Sequence, residues 1–282
     1  MGVMIDGKTR VWGLVGDPVE HTMSPLIQNI FADVMGKNAV YVPLGVKEEL
    51  GAAIKGAHAF GFAGMNVTVP YKVEIMEHLS EVDEAAQNVG AVNTLKYTPE
   101  GYKGYNTDVT GFVRELEKFE VPVAGRDVIV LGAGGASRAV CEGLRQLYVD
   151  HIYMLNRSLD KARNIYGDAS DITLLGLDEY DRIPEGKYTC IQCTSVGLPG
   201  NEEHAAIEAE AFYDLIETGV DIIYNPAETF FMKKVKKHGG RAYNGLNMLV
   251  YQAVAAFEIV YDTSLSQEAV DKVFDVLKER FE

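Results

Sequence analysis

The stretch DVIVLGAGGASRAVCEGLRQL, residues 127–147, decides the fold. Its first five residues are a β-branched run that reads as a buried strand, and Arg138–Leu147 has the pattern of a helix. Between them lies Gly132-Ala133-Gly134-Gly135-Ala136-Ser137, a dinucleotide-binding glycine turn in its required setting of strand, turn and helix. Gly132 permits the tight turn. Gly134 lets backbone N–H groups approach a pyrophosphate, and the helix N-terminus adds its positive dipole. Ser137 stands where a third glycine or alanine is usual, one small residue for another.

The next strand, HIYML, ends in Asn156-Arg157-Ser158, with Lys161 one helical turn later. A site for NAD usually carries a carboxylate here to bind the ribose 2′-hydroxyl. A guanidinium and an ammonium suit a 2′-phosphate instead, and cations beside a helix N-terminus are otherwise unfavourable. The pattern therefore favours NADP, with NAD as the alternative. Further strands, DITLL, TCIQCT and VDIIYN, follow with helices between them, which is the rhythm of a doubly wound parallel sheet.

The first half of the chain has its own alternation. VWGLVG (11–16), AVYVPLGV (39–46) and MNVTVP (65–70) read as strands, and AVNTLKY (91–97) leads into a hairpin turn at Thr98–Gly101. Ser24-Pro25 opens a helix, with Ser24 expected as its N-cap, and a linking helix is expected over Val109–Phe119. The last 37 residues read as two helices; Leu246–Tyr261 is too short and too polar to cross a bilayer and is expected as a buried core helix. The fold class is therefore α/β with two domains. Residues 1–108 are expected to form an α/β substrate domain to which helices 246–282 return, and residues 109–245 a Rossmann-type doubly wound NADP-binding domain.

Composition narrows the function. With 26 Lys+Arg against 41 Asp+Glu, the net charge of −15 argues against nucleic-acid and anionic-membrane binders. Anionic ligands must then be held by local donors. The opening MGVMIDGKTR lacks the apolar core of a signal peptide, so a cytoplasmic protein is expected. Three cysteines cannot frame a disulfide scaffold, and the lone Cys190/Cys193 pair sits in an apolar strand-like run, so no metal site is expected.

Polar residues cluster at the strand ends of the first half. Thr22 and Ser24 place two hydroxyls beside a helix N-terminus, a cradle for a carboxylate. Thr68 and Lys72 end a strand, and Asn93, Asn106, Thr107 and Asp108 add amides, a hydroxyl and a carboxylate. A lysine beside an aspartate can hold a hydroxyl group and shuttle its proton while hydride leaves carbon. Asp108 also reads as an N-cap for the helix starting at Val109, a role it can combine with a site role.

These motifs, in this order, resemble the shikimate dehydrogenase family over nearly the whole chain: H-T-M-S-P (21–25), N-V-T-V-P-Y-K (66–72), G-A-V-N-T (90–94), N-T-D (106–108), G-A-G-G-A-S-R (132–138), N-R-S (156–158) and L-V-Y-Q-A (249–253). The resemblance implies reversible, NADP-dependent hydride transfer between shikimate and 3-dehydroshikimate, in the pathway to the aromatic amino acids. It implies Lys72 and Asp108 as the catalytic pair. Substrate would be bound by Thr22, Ser24, Thr68, Asn93, Asp108, Tyr224 and Gln252. The cofactor would meet Gly132, Ala133, Gly134, Gly135, Ala136, Asn156, Arg157, Ser158 and Lys161, with Thr194, Ile222 and Gly245 on the nicotinamide side and Glu84 also linked to it.

The sequence departs from the family pattern at several positions. Thr22 replaces a usual serine, adding a methyl at the carboxylate end, and Lys161 replaces a frequent arginine. Asn247 stands where glycine is common, and Gln192-Cys193 replaces Asn-Ala. Thr22 and Lys161 keep open a quinate/shikimate dehydrogenase that also uses NAD. A catalytically silent metabolite sensor is a further reading, opposed by the intact Lys72 and Asp108. Monomer and homodimer both remain open.

Overall fold

The computed structural model describes residues 5–281. They divide into two compact units, the first running up to Gly111 and again over Val250–Arg280, the second over Phe112–Leu249 with Phe281. The chain passes between them inside two helices rather than through loops.

In the first unit the elements are β1 (Arg10–Gly16), α1 (Ser24–Val34), β2 (Ala39–Gly45), α2 (Leu50–Ala59), β3 (Gly64–Val67), β4 (Glu81–Val82), α3 (Glu84–Val89), β5 (Thr94–Thr98) and β6 (Gly101–Tyr105). A crossing helix, α4 (Thr107–Lys118), follows. The sheet order is β2-β1-β3-β5-β6-β4. β1 pairs in parallel with both β2 and β3, whereas β5 runs antiparallel to β3 and to β6, the latter being the expected hairpin. Strand order reverses at β1, so the crevice beyond the carboxyl ends of β1 and β3 is a natural ligand position. The expected third strand stops at Val67, because the chain turns there with Tyr71 N–H bonded to the Thr68 carbonyl at 2.9 Å.

The second unit holds β7 (Asp127–Leu131), α5 (Gly135–Gln146), β8 (His151–Leu155), α6 (Leu159–Tyr166), β9 (Ile172–Leu175), β10 (Tyr188–Gln192), α7 (Glu210–Tyr213), β11 (Ile216–Asp221), α8 (Phe230–Lys237) and β12 (Arg241–Asn244). Its sheet is wholly parallel in the order β12-β11-β10-β7-β8-β9, the doubly wound arrangement with its switch point between β7 and β10. β12 escaped the sequence reading: RAYN is a four-residue edge strand with no apolar alternation. The strand expected over VDIIYN instead ends at Asp221, whose buried carboxylate accepts from Ile223 N–H at 2.9 Å and stops the ladder.

Two long helices complete the chain, α9 (Leu246–Tyr261) and α10 (Gln267–Phe281). α9 has the bounds expected of it, and no described helix is long and apolar enough to cross a membrane. Its residues beyond Val250 close the first unit's core. Trp12 on β1 is fully buried, with Tyr41, Phe257 and Tyr261 edge-on at 4.6, 5.9 and 5.5 Å between ring centroids. Gln28 of α1 donates to the Ala253 carbonyl at 3.1 Å, tying α1 to α9. The second unit has apolar layers on both faces of its sheet, one around Val128, Val130, Val140 and Leu144, the other around Ile129, Leu131, Phe212 and Phe231.

Candidate active site

Lys72 follows the turn after β3, and Asp108 sits in the first turn of α4. Lys72 Nζ donates to Asp108 Oδ2 at 2.6 Å, with the side chains 23% and 14% exposed, so the pair is sheltered yet reachable. Asn93 Nδ2 donates to the other oxygen, Oδ1, at 2.8 Å. Asn93 Oδ1 is itself held, accepting from Thr107 N–H at 2.8 Å, Thr107 Oγ1 at 3.1 Å and Thr94 Oγ1 at 3.0 Å. Behind it, Asn66 Nδ2 donates to Thr94 Oγ1 at 3.0 Å and its Oδ1 accepts from the Tyr41 hydroxyl at 2.9 Å. Each side chain of this network is held by at least one other, and such a network fixes the aspartate rather than letting it swing.

The expected capping role falls on another residue. Helix α4 starts at Thr107, and Asn106 Oδ1 accepts from the N–H groups of Asp108 and Val109 at 3.1 and 3.4 Å. Asp108 is therefore not the cap; with Asn106 doing that work, both its oxygens face Lys72 and Asn93. Ser24 is corrected similarly. Met23 occupies the N-cap position of α1 and Ser24 is already helical. The Ser24 hydroxyl accepts from Thr22 Oγ1 at 3.1 Å, while Thr22 Oγ1 accepts from Ser24 N–H at 3.2 Å. The two hydroxyls thus form one half-buried polar patch following β1. Thr68 reaches the same strand ends: its N–H donates to Val15 at 2.9 Å, and its methyl lies where a Cβ on Gly16 would stand, 2.4 Å away.

At the second unit's switch point, Gly132 has φ +99°, and a Cβ there would sit 2.9 Å from the Thr194 methyl. Only glycine lets the turn after β7 approach the loop after β10 this closely. Gly134 and Gly135 differ: a Cβ on either would meet nothing within 4 Å, and no side chain caps the α5 N-terminus. The open N–H groups and bare backbone form a cradle that fits a pyrophosphate. Ser137 explains its own presence, bonding the Gly134 carbonyl at 2.7 Å and the Tyr166 hydroxyl at 2.9 Å from a fully buried position. Asn156 Oδ1 accepts from Ala133 N–H at 3.2 Å and its Nδ2 donates to the Ser158 carbonyl at 2.7 Å, joining the glycine turn to the end of β8.

Arg157 and Lys161 are exposed and have no carboxylate partner among the described residues. Arg157 lines a cavity of about 410 Å³ together with Asn156, Leu177, Thr194, Ser195 and His204. The end of β8 thus presents the exposed cations Arg157 and Lys161, and the cavity beside Arg157 is also lined by Glu208. Gln192, in place of asparagine, is buried and shapes this rim: its Oε1 accepts from Thr194 N–H, and its Nε2 donates to the Val196 carbonyl at 3.0 Å. Ile222 and Gly245 are brought together, since a Cβ on Gly245 would lie 2.2 Å from the Ile222 carbonyl oxygen.

A curated relative from Caldanaerobacter subterraneus subsp. tengcongensis, a shikimate dehydrogenase (NADP(+)), is 41% identical over 266 residues, covering 90% of this chain and 92% of its own. The chain belongs to the shikimate dehydrogenase family. The family model for the shikimate dehydrogenase substrate binding domain matches residues 14–95. A chorismate mutase/shikimate 5-dehydrogenase fusion protein from Clostridium acetobutylicum superposes with a TM-score of 0.91 at 37% identity, covering 97% of this chain and 98% of that one. A shikimate dehydrogenase solved with NADP+ gives 0.87 at 36% identity, with 98% of both chains covered.

Not every residue expected from the family pattern joins these clusters. Tyr224 lies in the loop beyond β11, in the second unit, with its ring edge-on to Phe281 at 5.7 Å. Burial there raises its hydroxyl pKa. Gln252 is half-buried on α9, and Glu84 is exposed in the first turn of α3, whose cap is Asp83. Cys190 and Cys193 are buried free thiols whose pKa values burial pushes up. The sequence reading overlooked Glu115, a carboxyl only 1% exposed on α4. Its signal was available: it stands seven residues after Asp108, flanked by the inward-facing Phe112 and Leu116.

Proposed function

We propose that this protein is an NADP-dependent shikimate dehydrogenase, interconverting shikimate and 3-dehydroshikimate on the route to the aromatic amino acids. The observation that carries this reading is the Lys72–Asp108 pair, 2.6 Å apart at the strand ends of the first unit, in a chain 41% identical to a shikimate dehydrogenase (NADP(+)). NADP supplies the hydride acceptor or donor when bound. Lys72 handles the proton: in reduction its ammonium donates to the carbonyl oxygen as charge develops there, and in oxidation it takes the hydroxyl proton back. Asp108 holds Lys72 in place and offers its second oxygen's neighbourhood to ring hydroxyls alongside Asn93. Thr22 and Ser24 hold the substrate carboxylate, Thr68 and Gln252 take ring hydroxyls, and Tyr224 assists at the carboxylate.

Gly132–Ala136 bind the pyrophosphate, while Asn156, Arg157, Ser158 and Lys161 take the adenosine ribose and its 2′-phosphate. Thr194, Ile222 and Gly245 line the nicotinamide, and Glu84 contributes from α3. We read the protein as cytoplasmic and acting as a monomer or a homodimer. The test is turnover followed by nicotinamide absorbance, with shikimate and quinate each paired with NADP+ and NAD+. Turnover of shikimate with NADP+ is expected. Comparable rates with quinate or NAD+ would favour the broader quinate/shikimate activity, which the methyl of Thr22 and the single charge of Lys161 bear on. Folded protein inert toward every pairing would overturn the enzyme reading.

A further inference from the structure

We propose that Glu115 is a positioning residue for this reaction, a tertiary cap that ties the start of the helix carrying Gln252 to the helix carrying Asp108. The inference rests on the dehydrogenase reading above. Glu115 accepts a hydrogen bond from the backbone N–H of Met248, the third residue of α9. The first N–H groups of a helix have no partner within it, and a buried one must find an acceptor elsewhere. Asn244 supplies one locally, its Oδ1 accepting from Leu246 N–H at 3.2 Å. Glu115 supplies the next from 133 residues away in sequence.

A carboxyl at this depth is costly: its helix neighbours Phe112 and Leu116 and its partner Met248 belong to one apolar core cluster, and Asp221 acts on it as a like charge. Leucine would fill the space more cheaply but would leave Met248 N–H unsatisfied. Asp108 lies two turns before Glu115 on α4, and Gln252 one turn after Met248 on α9. One bond therefore sets the register between two helices that each deliver a substrate-side residue. The cofactor-side residues Gly132–Ala136 and Arg157 follow β7 and β8, which share a core cluster with Phe112, Leu116 and Met248 but are fixed by their own strand ladder, and Gly245 just before α9 is fixed by its N–H to the Ile223 carbonyl at 3.1 Å. Loss of the Glu115–Met248 bond breaks none of these, so it is expected to reach the substrate far more than the cofactor.

The experiment compares Glu115→Gln, Glu115→Leu and Glu115→Asp with wild type by steady-state kinetics and by amide exchange at Met248. Glutamine keeps an acceptor of the same reach, so near-wild-type kinetics and a protected Met248 amide are expected. Leucine removes the acceptor. It should raise KM for shikimate about tenfold, leave KM for NADP+ within about twofold, and speed exchange at Met248. Aspartate, one methylene shorter, keeps the acid but withdraws it, and carries the test should the leucine variant not fold; the same KM split is expected. Unchanged KM for shikimate in the withdrawn variants, equal shifts for both ligands, or glutamine as damaging as leucine would each overturn the proposal while the wild type remains an active dehydrogenase. A wild type inert with shikimate and NADP+ would overturn the activity itself, and this role with it.

Discussion

Lys72, proposed above as the reacting group, is a common surface residue set apart by its partners. Its side chain is 23% exposed and its ammonium is engaged by Asp108, which Asn93 holds from the other side. Replacing Lys72 by methionine keeps the length of the side chain and removes the proton carrier. We expect kcat to fall by about 10²–10⁴ with KM for shikimate changed far less, as for loss of a general acid–base group. Steady-state kinetics decide, and unchanged kcat would remove the lysine from the chemistry. Arg157 poses the parallel question for the cofactor. With no carboxylate partner among the described residues, its guanidinium is available to a 2′-phosphate. Arg157→Ala should raise KM for NADP+ roughly 10–100-fold, the worth of a charge-assisted hydrogen bond, and leave NAD+ nearly untouched. Equal losses for both cofactors would contradict the assignment. The contrast between Asn106 and Asp108 shows the limit of reading residues singly: both suit a helix N-terminus, and only the start of α4 at Thr107 assigns the cap to Asn106.

At the scale of elements, the crossing helix α4 and the end of strand β11 each carry a buried carboxyl. Burial raises the Glu115 carboxyl from its ordinary 4.5 to about 8, opposed by the Met248 hydrogen bond and reinforced by the like charge of Asp221. Burial likewise raises Asp221 to about 6, against hydrogen bonds from Thr229, Ile223 and Gln192. A carboxyl with a raised folded pKa binds its proton more tightly in the folded state. Its contribution to stability is therefore complete below about 4.5 and is lost as pH climbs through about 8. Glu115→Gln cannot ionise and should escape that loss. Urea unfolding across this window should show wild type losing stability with pH more steeply than the variant. Parallel pH profiles would show that Glu115 is not the group responsible. Element types were largely readable beforehand, since the glycine turn, the β-branched runs and the helical periodicity of α10 are local signals. Element ends were less so: β3 and β11 stop early because of side-chain and turn bonds that no periodicity announces.

The whole molecule combines a strongly acidic composition with anionic ligands, so its binding sites are local departures from its overall field. On the proposed reading, helix N-termini, Arg157, Lys161 and Lys72 are the donors inside a chain of net charge −15. Each unit owns a separate apolar core, one around Val15, Ile54, Met65 and Leu95, the other around Val128, Val130 and Leu144. Two cores of this kind need not melt as one. Calorimetry should give a van't Hoff enthalpy below the calorimetric enthalpy, resolving into two components. NADP+ at about a hundred times its Kd should stabilise one component by about 2.7 kcal/mol and leave the other in place. A single transition with equal enthalpies, shifted as a whole, would show instead that the units unfold together.

What the amino-acid sequence determined by itself was the α/β class, the dinucleotide turn at Gly132–Ser137, the absence of a carboxylate after HIYML, and an ordered set of motifs that resembles one enzyme family. Those are features of neighbours along the chain, set by residue size, backbone freedom and local charge. Only the tertiary structure decided which polar groups meet. Lys72 with Asp108, Asn93 with Thr107, Tyr41 with Asn66 and Glu115 with Met248 are pairs separated by 14 to 133 residues. Their meeting follows from strand order and from helices that cross between units, and a hydrogen bond is satisfied by whatever the fold brings within about 3 Å, not by what lies next in sequence.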